Sequence, residues 1–189
     1  MRIYLVGLSC VGKSTLGKLL AEEYNYKFFD FDFLVMDIYK KNIDKIKADF
    51  NPPLLDSEYQ TLVSPILEEL LDNEKKDIVL AMPPSGLFPA YAKILEKHSD
   101  ILTIELKDNI KAIIKRLIYF DDARKSWPIT INDENRNYYL NEIKEDIIYY
   151  KHANKAAKLK VHLSGKNIDG ALDILDLSIK KWLRKSINV

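Results

Sequence analysis

The sequence has a single cysteine and three histidines in 189 residues. Cys10 cannot close an internal disulfide, and His98, His152 and His162 lack ligand spacing, so neither a disulfide scaffold nor a zinc centre is expected. Long apolar runs are missing as well. Ile3 to Val6, after Met1 and Arg2, is far shorter than the roughly 7 to 15 residues of a signal-peptide core, and no run approaches the roughly 18 that would span a bilayer. The expectation is a cytoplasmic protein without membrane contact. Nor is there an excess of one charge: 29 Lys and Arg against 28 Asp and Glu leave +1, which gives no general field for nucleic acid or an anionic surface. Any basic site has to be local.

What the chain does have is 47% hydrophobic, 11% aromatic and 30% charged residues. At this length folding removes roughly 70% of the unfolded surface from water. One domain over residues 1–189, without repeats or low-complexity tracts, is expected, as a monomer or weak homodimer. Apolar runs at 2–6, 26–29, 77–82, 101–106 and 159–163 alternate with segments of helical periodicity at 14–23, 31–40, 43–50, 57–71, 90–98, 109–118, 138–157 and 168–187. The long helix at 57–71 should be bent or delayed by Pro65. Strands apolar on both sides, each followed by an amphipathic helix, predict an α/β fold with a parallel sheet covered by helices on both faces. The polar stretch from Asp121 to Arg136, broken at Pro128, is read as a mobile loop, with a lid at about 120–137. In such sheets ligands bind at the carboxyl ends of the strands, so Gly7 to Ser14, Asp30 to Asp32 and Pro83 to Leu87 should converge on one cleft.

The run Gly7-Leu8-Ser9-Cys10-Val11-Gly12-Lys13-Ser14 fits Gly-x-x-x-x-Gly-Lys-Ser/Thr and lies between a strand and a helix, where its mechanism requires it. Successive amides at the helix start point at an anion with the helix dipole behind them, and Gly12 lets the backbone approach phosphate. Lys13 can reach the β and γ phosphates of ATP, Ser14 can ligate Mg²⁺, and Thr15 extends the first turn. Cys10 is read as a small residue filling a variable position. In Phe29-Asp30-Phe31-Asp32, residues two apart on an extended chain point the same way, so both acids can face the loop. Phosphoryl transfer needs one acid near the metal and one to orient or deprotonate the acceptor, although such a pair also commonly caps a helix. Arg116, Arg124, Lys125 and Arg136 lie in or beside the loop, where a cation can stabilise transferring charge; Arg124 is the first choice. Tyr138, Tyr139, Tyr149 and Tyr150 are assigned to packing, on helical spacing.

The run Gly12-Lys13-Ser14-Thr15-Leu16-Gly17-Lys18-Leu19-Leu20-Ala21, together with Phe29-Asp30-Phe31-Asp32, resembles the start of a shikimate kinase, in the nucleoside-monophosphate-kinase-like group of P-loop proteins. The resemblance implies a three-layer P-loop fold with a five-stranded sheet in the order 2-3-1-4-5. It implies that Asp30 holds metal water, Asp32 meets the acceptor, Arg116 lies against adenine and Arg124 is the lid arginine. The acceptor side departs from the family pattern. Pro83-Pro84-Ser85-Gly86 stands in place of a triple glycine, Asp49 to Leu71 contains no arginine, and Asp146 stands where an arginine is expected. An acid cannot bind a carboxylate, so an acceptor other than shikimate is expected. The resulting reading is an ATP- and Mg²⁺-dependent kinase acting on a hydroxyl or phosphate of a small metabolite. A nucleoside or nucleotide kinase and a regulatory nucleotide-binding protein without turnover are the alternatives. A GTP switch is weak, since no Asp-x-x-Gly follows the loop.

Overall fold

The computed structural model describes residues 1–120 and 126–187. Five parallel strands form the central sheet: β1 (Arg2–Val6), β2 (Lys27–Asp30), β3 (Ile78–Ala81), β4 (Ile101–Lys107) and β7 (Leu159–His162). Their order is β2-β3-β1-β4-β7, the expected 2-3-1-4-5 once a separate two-stranded ribbon between β4 and the edge strand is counted. β1 is the hub, with Arg2 opposite both Ile78 and Ile101 and Leu5 opposite both Ala81 and Ile104.

Alternation along β1 divides the interior into two layers, because successive side chains leave a strand on opposite faces. Ile3 and Leu5 join Leu16 and Leu20 of α1 (Lys13–Tyr24) and Leu175 and Ile179 of α8 (Ile168–Ile187). Tyr4 and Val6 turn the other way, onto Val35 of α2 (Phe31–Tyr39), Val63 and Leu67 of α4 (Asp56–Asn73), and Tyr91 of α5 (Pro89–Leu95). A short helix, α3 (Ile43–Ala48), adds Ile46 to this second layer.

Several expectations are corrected here. Pro65 does not delay α4, which begins at Asp56 and continues through the proline to Asn73. Proline removes the amide that would bond the Thr61 carbonyl, and the Ser64 hydroxyl donates to that carbonyl instead, at 3.1 Å. The helix expected over 109–118 is only α6 (Ile110–Ile113) and a 3-10 turn, Ile114–Arg116. Beyond it Ile118–Phe120 (β5) pairs antiparallel with Ser126–Pro128 (β6), with Tyr119 opposite Trp127. β-branched and aromatic residues favour such a ribbon over another helical turn. The stretch expected to be loop throughout is thus structured on its carboxyl side, while 121–125 fall outside the described residues. Finally, the helix expected over 138–157 is α7 (Arg136–Tyr150) followed by a 3-10 turn. Only Ile143 of its apolar stripe is buried; Tyr138 and Tyr149 are exposed, so packing does not account for all four tyrosines.

Candidate active site

β1 ends at Val6 and α1 starts at Lys13, leaving a loop whose shape depends on glycine. Gly7 has φ 138°, and a Cβ there would lie 2.3 Å from the Leu106 carbonyl oxygen of β4. Gly12 has φ 109°, and its carbonyl oxygen accepts from the Leu16 amide at 2.8 Å as the helix begins. Both are conformations that L side chains avoid. Cys10 also has positive φ, 58°. It is a free, half-buried thiol inside this curve.

Lys13 arches back over the loop: its Nζ donates to the carbonyl oxygens of Gly7 at 2.9 Å and Leu8 at 2.8 Å. Burial pulls its ammonium down to about 8, against the opposing pull of Asp32 and Asp30. At neutral pH it still carries its proton, in a place where charge is poorly solvated and an anion is correspondingly welcome. Next to it, Ser14 Oγ donates to Asp30 Oδ2 at 2.5 Å, while Asp30 Oδ1 accepts from the Phe33 amide and caps α2. The helix cap and the contact with Ser14 therefore use separate oxygens of Asp30, and the capping role leaves Oδ2 facing the loop.

The expected reason for Asp32 facing the loop is corrected. α2 already begins at Phe31, so Asp32 lies in the first helical turn, not on an extended strand. It is nonetheless in the electrostatic field of Lys13 and Asp30. Burial, then repulsion from Asp30, pushes its carboxyl up to about 6, with Lys13 opposing. An acid with this value is mostly ionised at pH 7 and basic enough to accept a proton, as general bases require.

These residues line two cavities. The larger, about 1330 Å³, is lined by Gly12, Ser14, Thr15, Asp30, Arg116 and the segment 166–169. The smaller, about 170 Å³, is lined by Asp32, Lys47, Asp56, Tyr59, Gln60, Pro83 to Ser85, Tyr149 and Tyr150. Asp30 and Asp32, two residues apart, open into different compartments, and Lys13 feels both carboxylates. The three strand ends, expected to converge on one cleft, are instead divided between two cavities: the loop and Asp30 line the larger, Asp32 and Pro83 to Ser85 the smaller.

Arg116 forms part of the larger cavity's wall. Its Nη1 donates to the Val11 carbonyl oxygen at 3.2 Å and its Nη2 to Asp108 Oδ2. Asp108 was not anticipated from the sequence. Its carboxylate is fully buried, and Oδ1 accepts from the amides of Gly165 at 2.6 Å and Asn109 at 2.8 Å. One side chain thereby ties Arg116 and the phosphate loop to the turn after β7, whose next residues line the cavity. The available signal was an acid directly after a strand, ahead of the helix cap Asn109, whose Oδ1 accepts from the Ala112 amide. Tyr59 and the Lys47–Asp56 pair were also missed, since nothing in their spacing marks them. Arg124 and Lys125 lie outside the described residues.

A strand-loop-helix anion cradle between a nucleotide-sized cleft and a second, smaller pocket is the layout of a P-loop kinase. The sequence model of the family described as shikimate kinase matches residues 9–171, and this chain belongs to that family. The shikimate kinase of Azobacteroides pseudotrichonymphae is 29% identical over 153 residues, 80% of this chain and 86% of that protein. That of Flavobacterium psychrophilum is 26% identical over 80% of this chain and 85% of its own. Among solved structures, the shikimate kinase of Bacteroides thetaiotaomicron superposes with TM-score 0.74 at 16% identity, covering 95% of this chain and 98% of that one. A gluconokinase from Sinorhizobium meliloti shares the fold more loosely, with TM-score 0.53 at 15% identity over 97% and 96% of the two chains. The chain is thus an ATP-dependent kinase of the shikimate kinase family.

Proposed function

We propose that this kinase transfers the γ-phosphoryl group of Mg-ATP to a hydroxyl of a compact metabolite seated in the smaller pocket. One observation carries the reading: Asp30 lines the large cleft and Asp32 the small pocket, and the Lys13 ammonium interacts electrostatically with both carboxylates. The pocket's size supports a compact acceptor, since about 170 Å³ is well below the roughly 300 to 1,000 Å³ of pockets for drug-sized ligands. The same size disfavours a nucleoside or nucleotide acceptor.

Asp32 takes the proton of the acceptor hydroxyl, whose oxygen bonds to the γ-phosphorus as the bond to the bridging oxygen of ADP breaks. Loop amides from Gly7 to Thr15 and the Lys13 ammonium hold the phosphates, and Lys13 gains most as negative charge shifts toward the leaving oxygen. Ser14 and Asp30, a hydroxyl and a carboxylate in contact, are the hard oxygen donors that Mg²⁺ takes alongside phosphates. Mg²⁺, when bound, would neutralise charge on the phosphate oxygens. Arg116 bounds the base end of the cleft, and Arg124 is assigned to the transferring charge. The free Cys10 thiol supports a reducing, cytoplasmic setting. Among the described residues no helix is long and apolar enough to cross a membrane.

The test is a phosphotransfer screen with Mg-ATP over polyols, sugars, hydroxy acids and nucleosides, with Lys13→Ala as the blank. Transfer to a compact hydroxylated acceptor is expected. Calorimetry showing no ATP binding to the folded protein would remove the reading altogether.

A further inference from the structure

The acceptor pocket carries more information than its size. Among the described residues lining it, Lys47 is the single cation, and its Nζ is already engaged by Asp56 Oδ1 at 2.6 Å. Asp32 lines the same pocket. Asp146 of α7 also acts on this region: burial first, then Asp146, Tyr149 and Asp56, push the Tyr150 phenol up to about 12. Asp146 is itself raised by burial, then by Glu142 and Glu145 beside it. Among the described lining residues the acids outnumber the one cation, and that lysine is already paired with Asp56.

The neutral groups point the same way. Tyr59 is 92% buried, given its 8% exposure, and its phenolic oxygen has no hydrogen-bond partner although the ring lines the pocket. A buried hydroxyl left unpaired costs on the order of 1 to 3 kcal/mol, so a ligand hydroxyl that pairs with it is rewarded. Gln60 and Ser85 add amide and hydroxyl groups, and Tyr149 and Tyr150, both packed against Phe88 at 5.5 and 5.7 Å between ring centres, supply an aromatic wall. An aromatic wall with a few neutral polar groups suits the mixed C–H and O–H surface of a polyol.

We propose that the acceptor is a polyol bearing no carboxylate or phosphate, selected because Asp56 neutralises Lys47 and the Tyr59 phenol awaits a hydroxyl. The proposal rests on the kinase reading above and narrows it. Among the described lining residues, an anionic acceptor would have to displace Asp56 from Lys47 or sit beside carboxylates, and like charges at close range are disfavoured.

The test uses matched pairs that differ only in charge: shikimate against its primary alcohol, gluconate against glucitol, and further acid and alcohol pairs on pentose and cyclitol skeletons. The full chain is assayed with Mg-ATP. Expected is a kcat/KM at least ten-fold higher for the alcohol than for the acid in the pair turned over best. Asp56→Asn, which frees Lys47, should shrink that ratio about ten-fold, and Tyr59→Phe should raise KM for the alcohol with kcat little changed. A preference for the acid in the native chain overturns the proposal and leaves the kinase reading standing. An unchanged ratio in Asp56→Asn overturns the Lys47–Asp56 origin of selectivity. ATP bound but no transfer to any member of the series overturns the kinase reading and the proposal together.

Discussion

The two chambers of this site are built on opposite principles. The larger chamber draws its biggest single share of lining from one continuous stretch, Val11 to Glu22, where the loop after β1 runs into α1, and closes it with Asp30, Arg116 and the segment 166–169. The acceptor chamber is assembled from α2, α3, α4, the turn after β3 and the end of α7, contributing one to three residues each. Phosphate is the same in every kinase, so the first solution can be local and rigid. An acceptor differs from enzyme to enzyme, and a chamber drawn from many elements can change through single side chains without disturbing the sheet.

Variants sharpen that contrast. The largest effect is expected from Asp32→Asn: turnover should fall on the order of 10³-fold while ATP affinity, by calorimetry, stays within about three-fold of the native chain. Parallel losses of both would merge the two chambers into one functional unit. Arg124→Ala should reduce kcat about 100-fold; a change confined to KM would make Arg124 a binding residue.

Asp108→Asn should weaken ATP about ten-fold, or about 1.4 kcal/mol, because the amide oxygen can still meet the Gly165 and Asn109 amides but the charge facing Arg116 is gone. Acceptor KM at saturating ATP should not move, and if it does, Asp108 positions more than the nucleotide wall.

The pH dependence is a smaller effect and has a fixed sign. With Asp32 raised to about 6, kcat/KM should fall on an acid limb near that value as the base is protonated, and Asp32→Asn should abolish the limb. The same shift bears on stability. The native state holds this proton more tightly than the unfolded chain does, so stability attributable to Asp32 is greatest below pH 4 and is lost as pH rises through about 6. Above that, Asp32→Asn should raise stability on the order of 1 kcal/mol, visible as a higher Tm at pH 7.5 and much less at pH 4.5. Equal Tm shifts at both would mean that burial of the charge is not the cause.

The legible parts of the chain were those whose physics is local. The strands, α1, the phosphate loop and the Asp30–Asp32 pair could be read because period, glycine placement and helix-start chemistry operate over a few residues. Asp32 was expected beside the loop on strand alternation, whereas a helical turn places it in the field of Lys13. Pro65 misled because the repair is a hydroxyl one residue earlier. Ile118 misled because its strand partner, Pro128, lies ten positions along.

By itself, then, the sequence determined a parallel α/β sheet with a triphosphate cradle at the end of its first strand, since short-range backbone and side-chain preferences suffice to specify both. Only the tertiary structure decided that two neighbouring acids line separate cavities, that Asp108 joins Arg116 to the turn after β7, and that Asp56 pairs with Lys47. Those facts depend on distances between residues far apart in the chain, set when helices close over the sheet, and no spacing along the sequence encodes them.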